Sequence, residues 1–200
     1  MKNNYIDLKR TESTPTEPCT LAEAKAQCIV TYTDDDTLIT SLITKARKAI
    51  ENYCNISIVS QTVVMTADLY NEWELPYGPV TAINSVTTRS GNEGSGPMTY
   101  ETLTSGWGYD GEEFKTFIPG SSNFTTPFIG NIDTSLNYRY KVTYTTGYGT
   151  VPDDLKQAVL LQIAWLYEHR GDEVKDYSFV PGVCDDALKF ADPYKRQLWV

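Results

Sequence analysis

The sequence is poor in the residues and segments that metal sites and membrane proteins need. It has one histidine, His169, and four cysteines without CxxC spacing, at positions 19, 28, 54 and 184. Because zinc is bound mainly by His and Cys, we expect no metal and no cofactor. The sequence also lacks an apolar run of the roughly 18 residues that span a bilayer, and residues 1–18 lack the apolar core of a signal peptide. We therefore expect a protein made in a cytoplasm, with reduced thiols.

Positive charge is scarce as well. The chain has 17 lysines and arginines against 26 acidic residues, which gives a net charge of −9 and a pI near 4.6. A protein that grips nucleic acid phosphates needs a basic patch, so the balance disfavours that class. Two interpretations of the acidity stay open. It maintains solubility, or it keeps a surface that faces DNA from adhering to it.

The sequence shows no recognisable catalytic constellation. His169 has no serine or cysteine neighbour in a nucleophile elbow. Glu72 and Glu74 would share one face of a strand, and Glu112 and Glu113 are adjacent. Such pairs can perform acid/base chemistry, but they arise freely among 26 acidic residues. We expect no enzyme; a carboxylate-dependent hydrolase is kept as the lesser alternative.

Two helices are predicted near the start of the chain, after a polar, proline-containing arm at residues 1–18. The first covers residues 20–28 and opens with Thr20 and Glu23, the spacing of a capping box. The second covers residues 35–54, with aspartates at its start, where they meet the positive end of the helix dipole. Its apolar residues recur at steps of three and four and predict one buried stripe: Ile39, Ile43, Ala46, Ile50 and Tyr53.

The period of the sequence changes between residues 60 and 147. Segments rich in Thr, Val, Ile and Tyr predict strands. In one of them, Tyr140, Val142 and Tyr144 alternate with polar residues, as expected of a half-buried strand. Long glycine-rich loops lie between residues 90 and 137 and are typical of contact surfaces. These patterns predict an α+β fold, in which a helical core carries an inserted antiparallel β portion.

A long apolar C-terminal helix is predicted at residues 153–169. Three polar residues interrupt it before Glu168, and they spread around the helical wheel: Lys156, Gln157 and Gln162. A helix that is apolar on most sides must be covered on most sides. Either its own domain covers it, or neighbouring copies of the protein do so in part. The sequence leaves both possibilities open.

The last segment, residues 173–200, is predicted to be a tail outside a connector domain at residues 19–172. It is rich in large apolar side chains for a chain end: Leu188, Phe190, Tyr194, Leu198 and Trp199. Either it packs back on its own domain, or it docks on a partner, where aromatic residues and arginine contribute much of the binding energy.

Five stretches, taken in order, resemble the head–tail connector (adaptor) proteins of tailed bacteriophages. These small neck proteins dock beneath the portal. The likeness lies in a helix that runs into a strand, a Leu-Pro-x-x-Pro-Val pattern, and a Gly-Tyr-Gly turn before an apolar helix. The stretches are residues 21–30, 34–62, 74–86, 140–172 and 187–196. Residues 1–19 and the loops at 90–137 match no pattern of the family.

The resemblance implies a structural virion protein without catalysis, synthesised in the host cytoplasm. It implies a ring of twelve copies at the head–tail junction, linking capsid to tail. The genomic DNA would pass through the channel without sequence-specific binding, and the partners would be the portal and a stopper or tail-side neck protein. On this hypothesis we assign portal docking to Phe190, Tyr194, Arg196 and Trp199, and subunit contacts to Leu160, Ile163, Trp165 and Tyr167.

A second class of function stays open. A β-rich ligand- or receptor-binding module would use aromatic residues next to loops, and Trp73, Trp107 and Tyr109 are candidates. A melting temperature that rises with a ligand would favour that class. Presence in purified particles in multiple copies would favour the connector.

Overall fold

The computed structural model describes residues 5–12, 16–68, 73–90, 99–104, 107–119, 139–170 and 182–196. Its helices are α1 (Leu21–Gln27), α2 (Asp36–Cys54), α3 (Asp153–Glu168) and α4 (Asp185–Ala191), and a 3-10 turn follows at Asp192–Tyr194. Its strands are β1 (Tyr5–Glu12), β2 (Gln61–Asp68), β3 (Trp73–Glu74), β4 (Val80–Ser90), β5 (Thr99–Thr102), β6 (Trp107–Asp110), β7 (Thr116–Pro119) and β8 (Arg139–Thr146). The predicted α+β class, with antiparallel strands, is confirmed.

The chain forms two compact units. The β unit comprises Met1–Ser13, Gln61–Gly147 and Leu198–Val200, and the helical unit comprises Thr14–Ser60 and Tyr148–Gln197. The helical unit therefore includes α4, so the described part of the expected C-terminal tail belongs to a folded unit.

The β unit is built on a five-stranded antiparallel sheet in the order β1-β2-β8-β4-β5. A three-stranded sheet, in the order β3-β7-β6, contributes to the same core. Alternate residues of β2 and β8 point inward, as the predicted alternation requires. The buried cluster comprises Val63, Met65, Ala67, Leu75, Val80, Val86, Phe117, Tyr140, Val142 and Tyr144.

The expected flexible arm is wrong for residues 5–12, which form β1 at the edge of the larger sheet. β1 pairs antiparallel with β2, from Tyr5 opposite Ala67 to Glu12 opposite Gln61. Only Leu8 among its described side chains packs against the apolar cluster. Strands are predicted from alternating apolar residues, whereas β1 is largely polar and is held by backbone pairing with β2. The sequence therefore did not predict it.

The helical unit is organised around α2. Its buried residues recur at steps of three and four, and they are Ile39, Leu42, Ile43, Ala46, Arg47, Ile50, Glu51 and Cys54. Tyr53, expected on this stripe, is half-buried, and its hydroxyl donates to Asp192. α2 ends at Asn55, whose N–H bonds to the carbonyl of Glu51. The left-handed backbone of Asn55 (φ 55°) lets the N–H of Ile56 donate to the same carbonyl at 3.2 Å.

The expected long apolar C-terminal helix is not borne out. α3 has 16 residues, fewer than the 19 of α2, and the last helix of the described chain is the seven-residue α4. The burial of α3 also follows one main stripe: Leu155, Ala158, Val159, Gln162, Ile163 and Tyr167. One side of the helix is therefore buried and another is less covered, although apolar residues occur on several sides. Leu160 and Leu161 lie on the less covered side.

Candidate interaction surfaces of the helical unit

Residues at the N-terminus of α3 favour the start of the helix, and a buried glutamine in its middle holds the segment before α4. Pro152 occupies the N-cap, and Asp153 and Asp154 lie in the first turn, next to the positive end of the helix dipole. Further along, the side chain of Gln162 is buried; its amide donates to the carbonyl of Gly182 at 2.9 Å and its oxygen accepts from the backbone N–H of Cys184 at 2.8 Å. Gln162 therefore fixes the segment before α4 against the middle of α3.

The four residues predicted for subunit contacts fall into two groups. Ile163 and Tyr167 lie on the buried stripe, with 0% and 9% of their surface exposed. Leu160 and Trp165 are half-buried. Leu161 and Ala164, which sequence analysis did not single out, are half-buried too. These four residues are apolar or aromatic and lie on a less covered side of α3, and we call them the α3 face: Leu160, Leu161, Ala164 and Trp165.

A polar cluster joins the end of α3 to the start of α2. The carboxylate of Asp35 accepts hydrogen bonds from the hydroxyls of Tyr167 at 2.5 Å and Tyr32 at 3.2 Å. Arg170 lies 3.4 Å from the same carboxylate and 4.0 Å above the Tyr167 ring. The hydrogen bond from Tyr167, aided by those from Tyr32 and Arg170, holds the pKa of Asp35 below its usual value. The same bond raises the pKa of Tyr167.

His169 serves a local role in this arrangement. Its ring stacks on Trp165 with centroids 4.8 Å apart, and its Nδ1 lies 2.8 Å from the Trp165 carbonyl. Among the described residues no cluster of three His, Cys, Asp or Glu side chains could hold a metal ion. No helix in the described part of the chain has the length and apolar character to cross a membrane.

The described part of the C-terminal segment packs on the end of α2. The backbone N–H of Arg196 donates to the carbonyl of Cys54 at 2.8 Å, and the side-chain amide of Asn55 donates to the carbonyl of Arg196 at 3.0 Å. Ala187 and Ala191 of α4 are fully buried. This agrees with the alternative in which the tail packs back on its own domain.

The residues predicted for portal docking are distributed along this segment. Phe190 is exposed, with 36% of its surface open, and Tyr194 and Arg196 are half-buried. Trp199 lies outside the described residues. Phe190 and Tyr194 are therefore anchored on a packed helix and turn rather than on a free chain end.

A buried ion cluster, missed in the sequence, braces α2. Arg47 is fully buried; its Nε lies 2.8 Å from Glu17 and its Nη1 lies 2.8 Å from Glu51. Glu51 also accepts hydrogen bonds from the backbone N–H groups of Ile58 and Val59. The i, i+4 spacing of Arg47 and Glu51 was visible in the sequence, but charged residues on a helix are ordinarily read as a solvated face.

The aromatic residues proposed for a ligand-binding module do not form a described cluster. Trp107 is half-buried and stacks on Phe117 with centroids 6.1 Å apart. Tyr109 is 52% exposed, and the ammonium of Lys115 lies 4.6 Å from its ring centroid. The side chain of Trp73 lies outside the described residues, as does Glu72 of the proposed hydrolase pair. Glu112 and Glu113 are both exposed.

Comparison with known proteins agrees with the resemblance found in the sequence. Residues 18–103 match the family described as phage gp6-like head-tail connector protein. This segment contains α1, α2 and β2 to β5, and it includes three of the five stretches that carried the resemblance. No curated protein matches the chain in sequence.

Solved structures of neck and virion assemblies share the fold over nearly the whole chain. A chain in the neck of an empty gene transfer agent particle, computed with C6 symmetry, has a TM-score of 0.68 and 19% identity, covering 95% of each chain. A chain in the virion of a native gene transfer agent particle has a TM-score of 0.66 and 19% identity, covering 94% of each. A third, in the neck of a native particle computed with C12 symmetry, has a TM-score of 0.54 and 19% identity, covering 92% of this chain and 95% of that one.

Proposed function

Residues 18–103 belong to the phage gp6-like head-tail connector family, and on that premise we propose that the chain is a structural virion protein assembled as a ring at the head–tail junction. The ring would lie beneath the portal and receive a stopper or tail-side neck protein below. The observation that carries the proposal is the family match, which runs through α1, α2 and the first strands of the β unit. For the residues outside that match, the proposal is supported by the fold that 95% of this chain shares with a chain in the gene transfer agent neck.

The ring proposal is supported by what the similar proteins form. They come from particle necks computed with C6 and C12 symmetry, so related folds occur in cyclic assemblies. For this chain we propose twelve copies, with the α3 face as part of the contact between neighbours. Leu160 and Trp165 carry this role, because Ile163 is already buried in its own chain.

The portal contact is proposed for the C-terminal segment. Phe190 supplies an exposed aromatic anchor, and Tyr194, Arg196 and Trp199 extend the surface along the chain. Aromatic and arginine side chains dominate binding energy at interfaces. The segment's fixed position on α2 would lower the entropy lost when it docks.

The net charge suits the passage of DNA. A channel that binds the genome would retard it, whereas a chain with a net charge of −9 repels phosphate. No catalytic role is proposed. Synthesis would take place in the host cytoplasm before the protein joins the particle.

The deciding experiment is native mass spectrometry of the protein mixed with the portal ring from the same genome. We expect a discrete complex with one connector per portal subunit. If both species are folded and no complex forms, the connector proposal is wrong.

The docking surface can be tested in the same experiment with Phe190→Ser. Because only 36% of the Phe190 surface is exposed, we expect a lower melting temperature with the fold retained, and at least a tenfold loss of portal affinity, about 1.4 kcal/mol. The matched control is Lys189→Ser on the neighbouring exposed residue. Equal affinities of the Phe190→Ser variant and the wild type would exclude Phe190 from the contact.

A further inference from the structure

The turn between β6 and β7 holds the one Asp-Gly pair of the sequence, Asp110 and Gly111, and the sequence contains no Asn-Gly pair. β6 ends at Asp110, which is paired with Thr116, the first residue of β7. Both residues of the pair are exposed to solvent. An aspartate followed by glycine forms a succinimide more readily than other aspartates do, because glycine has no side chain to shield its own nitrogen.

The fold requires glycine at position 111. Its backbone lies in the left-handed region, with φ 88°, which residues with a side chain rarely adopt. A Cβ atom on Gly111 would also clash with the backbone carbonyl oxygen of Phe114. A bulkier residue, which would slow attack by the main-chain nitrogen, is therefore excluded from this turn. The reactive pair is a consequence of the geometry of the turn.

The two reacting groups of the pair are already in contact. The N–H of Gly111 donates to Oδ1 of Asp110 at 2.7 Å. Cγ is bonded directly to Oδ1, so the nitrogen also lies close to the carbon that it would attack. Holding two reacting groups at contact distance removes much of the entropic cost of bringing them together. The folded turn therefore favours ring closure between this side chain and the next residue.

We propose that Asp110 is a site of spontaneous isoaspartate formation, and that the product loosens the β6–β7 turn. The nitrogen of Gly111 attacks Cγ of the protonated Asp110 side chain, an N–Cγ bond forms, and the amide proton and the carboxyl hydroxyl leave as water. Water then opens the succinimide ring. Opening at the former main-chain carbonyl gives isoaspartate, in which the main chain runs through Cβ and Cγ, and opening at Cγ restores aspartate. The reaction is an isomerisation that needs water alone.

The turn is packed on the segment between β3 and β4, so a change in its main chain has a consequence there. The carbonyl of Glu113 accepts the N–H of Val80 at 2.7 Å. The carbonyl of Lys115 accepts the N–H of Leu75 at 2.8 Å. Isoaspartate adds one carbon to the main chain just before these carbonyls and displaces them. The amides of Leu75 and Val80 should then lose protection from hydrogen exchange.

The first test measures the reaction in the intact chain. The protein is kept at neutral pH in water enriched in ¹⁸O, digested with trypsin in ordinary water, and sequenced by electron-transfer mass spectrometry, which distinguishes isoaspartate from aspartate. The tryptic peptide that ends at Lys115 contains a single aspartate, Asp110. We expect ¹⁸O and isoaspartate at this position. They should accumulate at least about tenfold faster than at the exposed Asp34, which is followed by another aspartate.

The matched control is Asp110→Glu, whose side chain is one methylene longer, so that the five-membered ring cannot form while the negative charge and the glycine of the turn remain. A synthetic peptide of residues 107–115 shows the reaction without the fold. Isoaspartate in the peptide and none in the folded protein would overturn the proposal, because the turn would then be holding the pair in an unreactive geometry. Its absence from both would overturn the proposal as well.

The second test measures the consequence of the modification. Modified and unmodified protein are separated by chromatography, and amide hydrogen exchange is compared residue by residue. At Leu75 and Val80 we expect exchange at least about tenfold faster in the modified protein, with no change at Val63 in β2. Asp110→Glu protein of the same age should exchange like fresh protein. Isoaspartate with unchanged exchange at Leu75 and Val80 would overturn the proposed loosening, and neither test depends on the connector proposal.

Discussion

Two helices of this protein end in the same backbone conformation with very different residues. α2 ends at Asn55 with φ 55°, and α1 is followed by Ile29 with φ 57°. Asparagine visits this region readily, whereas a β-branched residue there is strained by about 1–3 kcal/mol. Sequence analysis missed Ile29 because helix ends are recognised by glycine or asparagine. The two helix ends therefore share one backbone geometry, and only the end of α1 places a β-branched side chain in it.

The buried ion cluster gives a prediction for stability. Replacing Arg47 by Met leaves the carboxylate of Glu51, which is 1% exposed, without its charge partner. Removing one partner of a buried pair costs about 3–5 kcal/mol. We expect a loss of this size in the free energy of unfolding, measured by urea denaturation. Lys45→Met, on the exposed face of the same helix, should change it by less than about 0.5 kcal/mol.

The Asp35 cluster gives a prediction for pH dependence. Asp35 has an ordinary pKa of 3.8 that the hydrogen bond from Tyr167 lowers in the folded protein. A carboxyl with a lowered folded pKa stabilises the fold above its unfolded pKa, and that stability is lost as the pH falls through the folded value. In Tyr167→Phe the pKa of Asp35 should rise and stability should depend less on pH below about pH 4.

Carbon-detected NMR titration of the Asp35 carboxyl measures this shift, and acid titration of the unfolding free energy measures its consequence. The control is Tyr53→Phe, which removes a hydroxyl that donates to a different carboxylate, Asp192. An Asp35 pKa that is equal in wild type and Tyr167→Phe would show that Tyr167 does not set it.

At the scale of single elements, the capping box of α1 was predicted from sequence and is confirmed. Glu23 donates its N–H to Thr20 Oγ1 at 3.2 Å, and Thr20 donates its own N–H to Glu23 Oε2 at 2.8 Å. The side chain of Lys156, 2.6 Å from Glu23, and the hydrogen bonds from Thr20 lower the pKa of Glu23 to about 2. The sequence predicted this motif because Thr20 and Glu23 are only three residues apart.

Thr20→Ala should therefore destabilise the fold by about 1 kcal/mol, the usual cost of losing an N-cap side chain. Hydrogen exchange of the first amides of α1 should accelerate more than that of α2. Thr31→Ala, at an exposed position after α1, should alter neither. Unchanged exchange in Thr20→Ala would mean that packing alone holds the helix.

Other elements could not be predicted because long-range contacts decide them. β1 lacks apolar alternation and is held by its pairing with β2, a partner some fifty residues away in the chain. The C-terminal segment looked like a tail, yet backbone bonds tie Arg196 to Cys54. For α3, the sequence indicated an apolar helix, and only the fold shows which leucines remain on the less covered face. Local pattern predicted the helices, whereas tertiary contacts determine what covers them and whether a polar strand such as β1 forms.

At the scale of the whole molecule, the chain enters and leaves the β unit at adjacent points. Within the helical unit Tyr148 donates its N–H to the carbonyl of Ile58 at 3.3 Å. Within the β unit the first residue of β2, Gln61, is opposite Thr146 of β8. Most of the β unit is therefore an insertion whose two ends lie side by side. Units with adjacent ends tolerate excision and insertion.

We accordingly expect a helical unit made of residues 14–197, with Gln61–Gly147 replaced by a short Gly-Ser linker, to fold alone. Circular dichroism should show the helices, and urea unfolding should be cooperative. Adding Ala46→Asp, which places a charge at a fully buried site, should abolish that transition. A non-cooperative unfolding curve for the linker protein itself would contradict independence of the unit.

The adjacent ends also bear on how such a protein can change over generations. If the protein is a phage connector, as proposed, a gene segment that encodes β2 to β8 could be exchanged between phages by two crossovers, while the recipient keeps its own helices and β1. Selection could then act on β2 to β8 and their loops separately from the helical unit. Sequence divergence in this lineage should accordingly be uneven, with boundaries near residues 60 and 148.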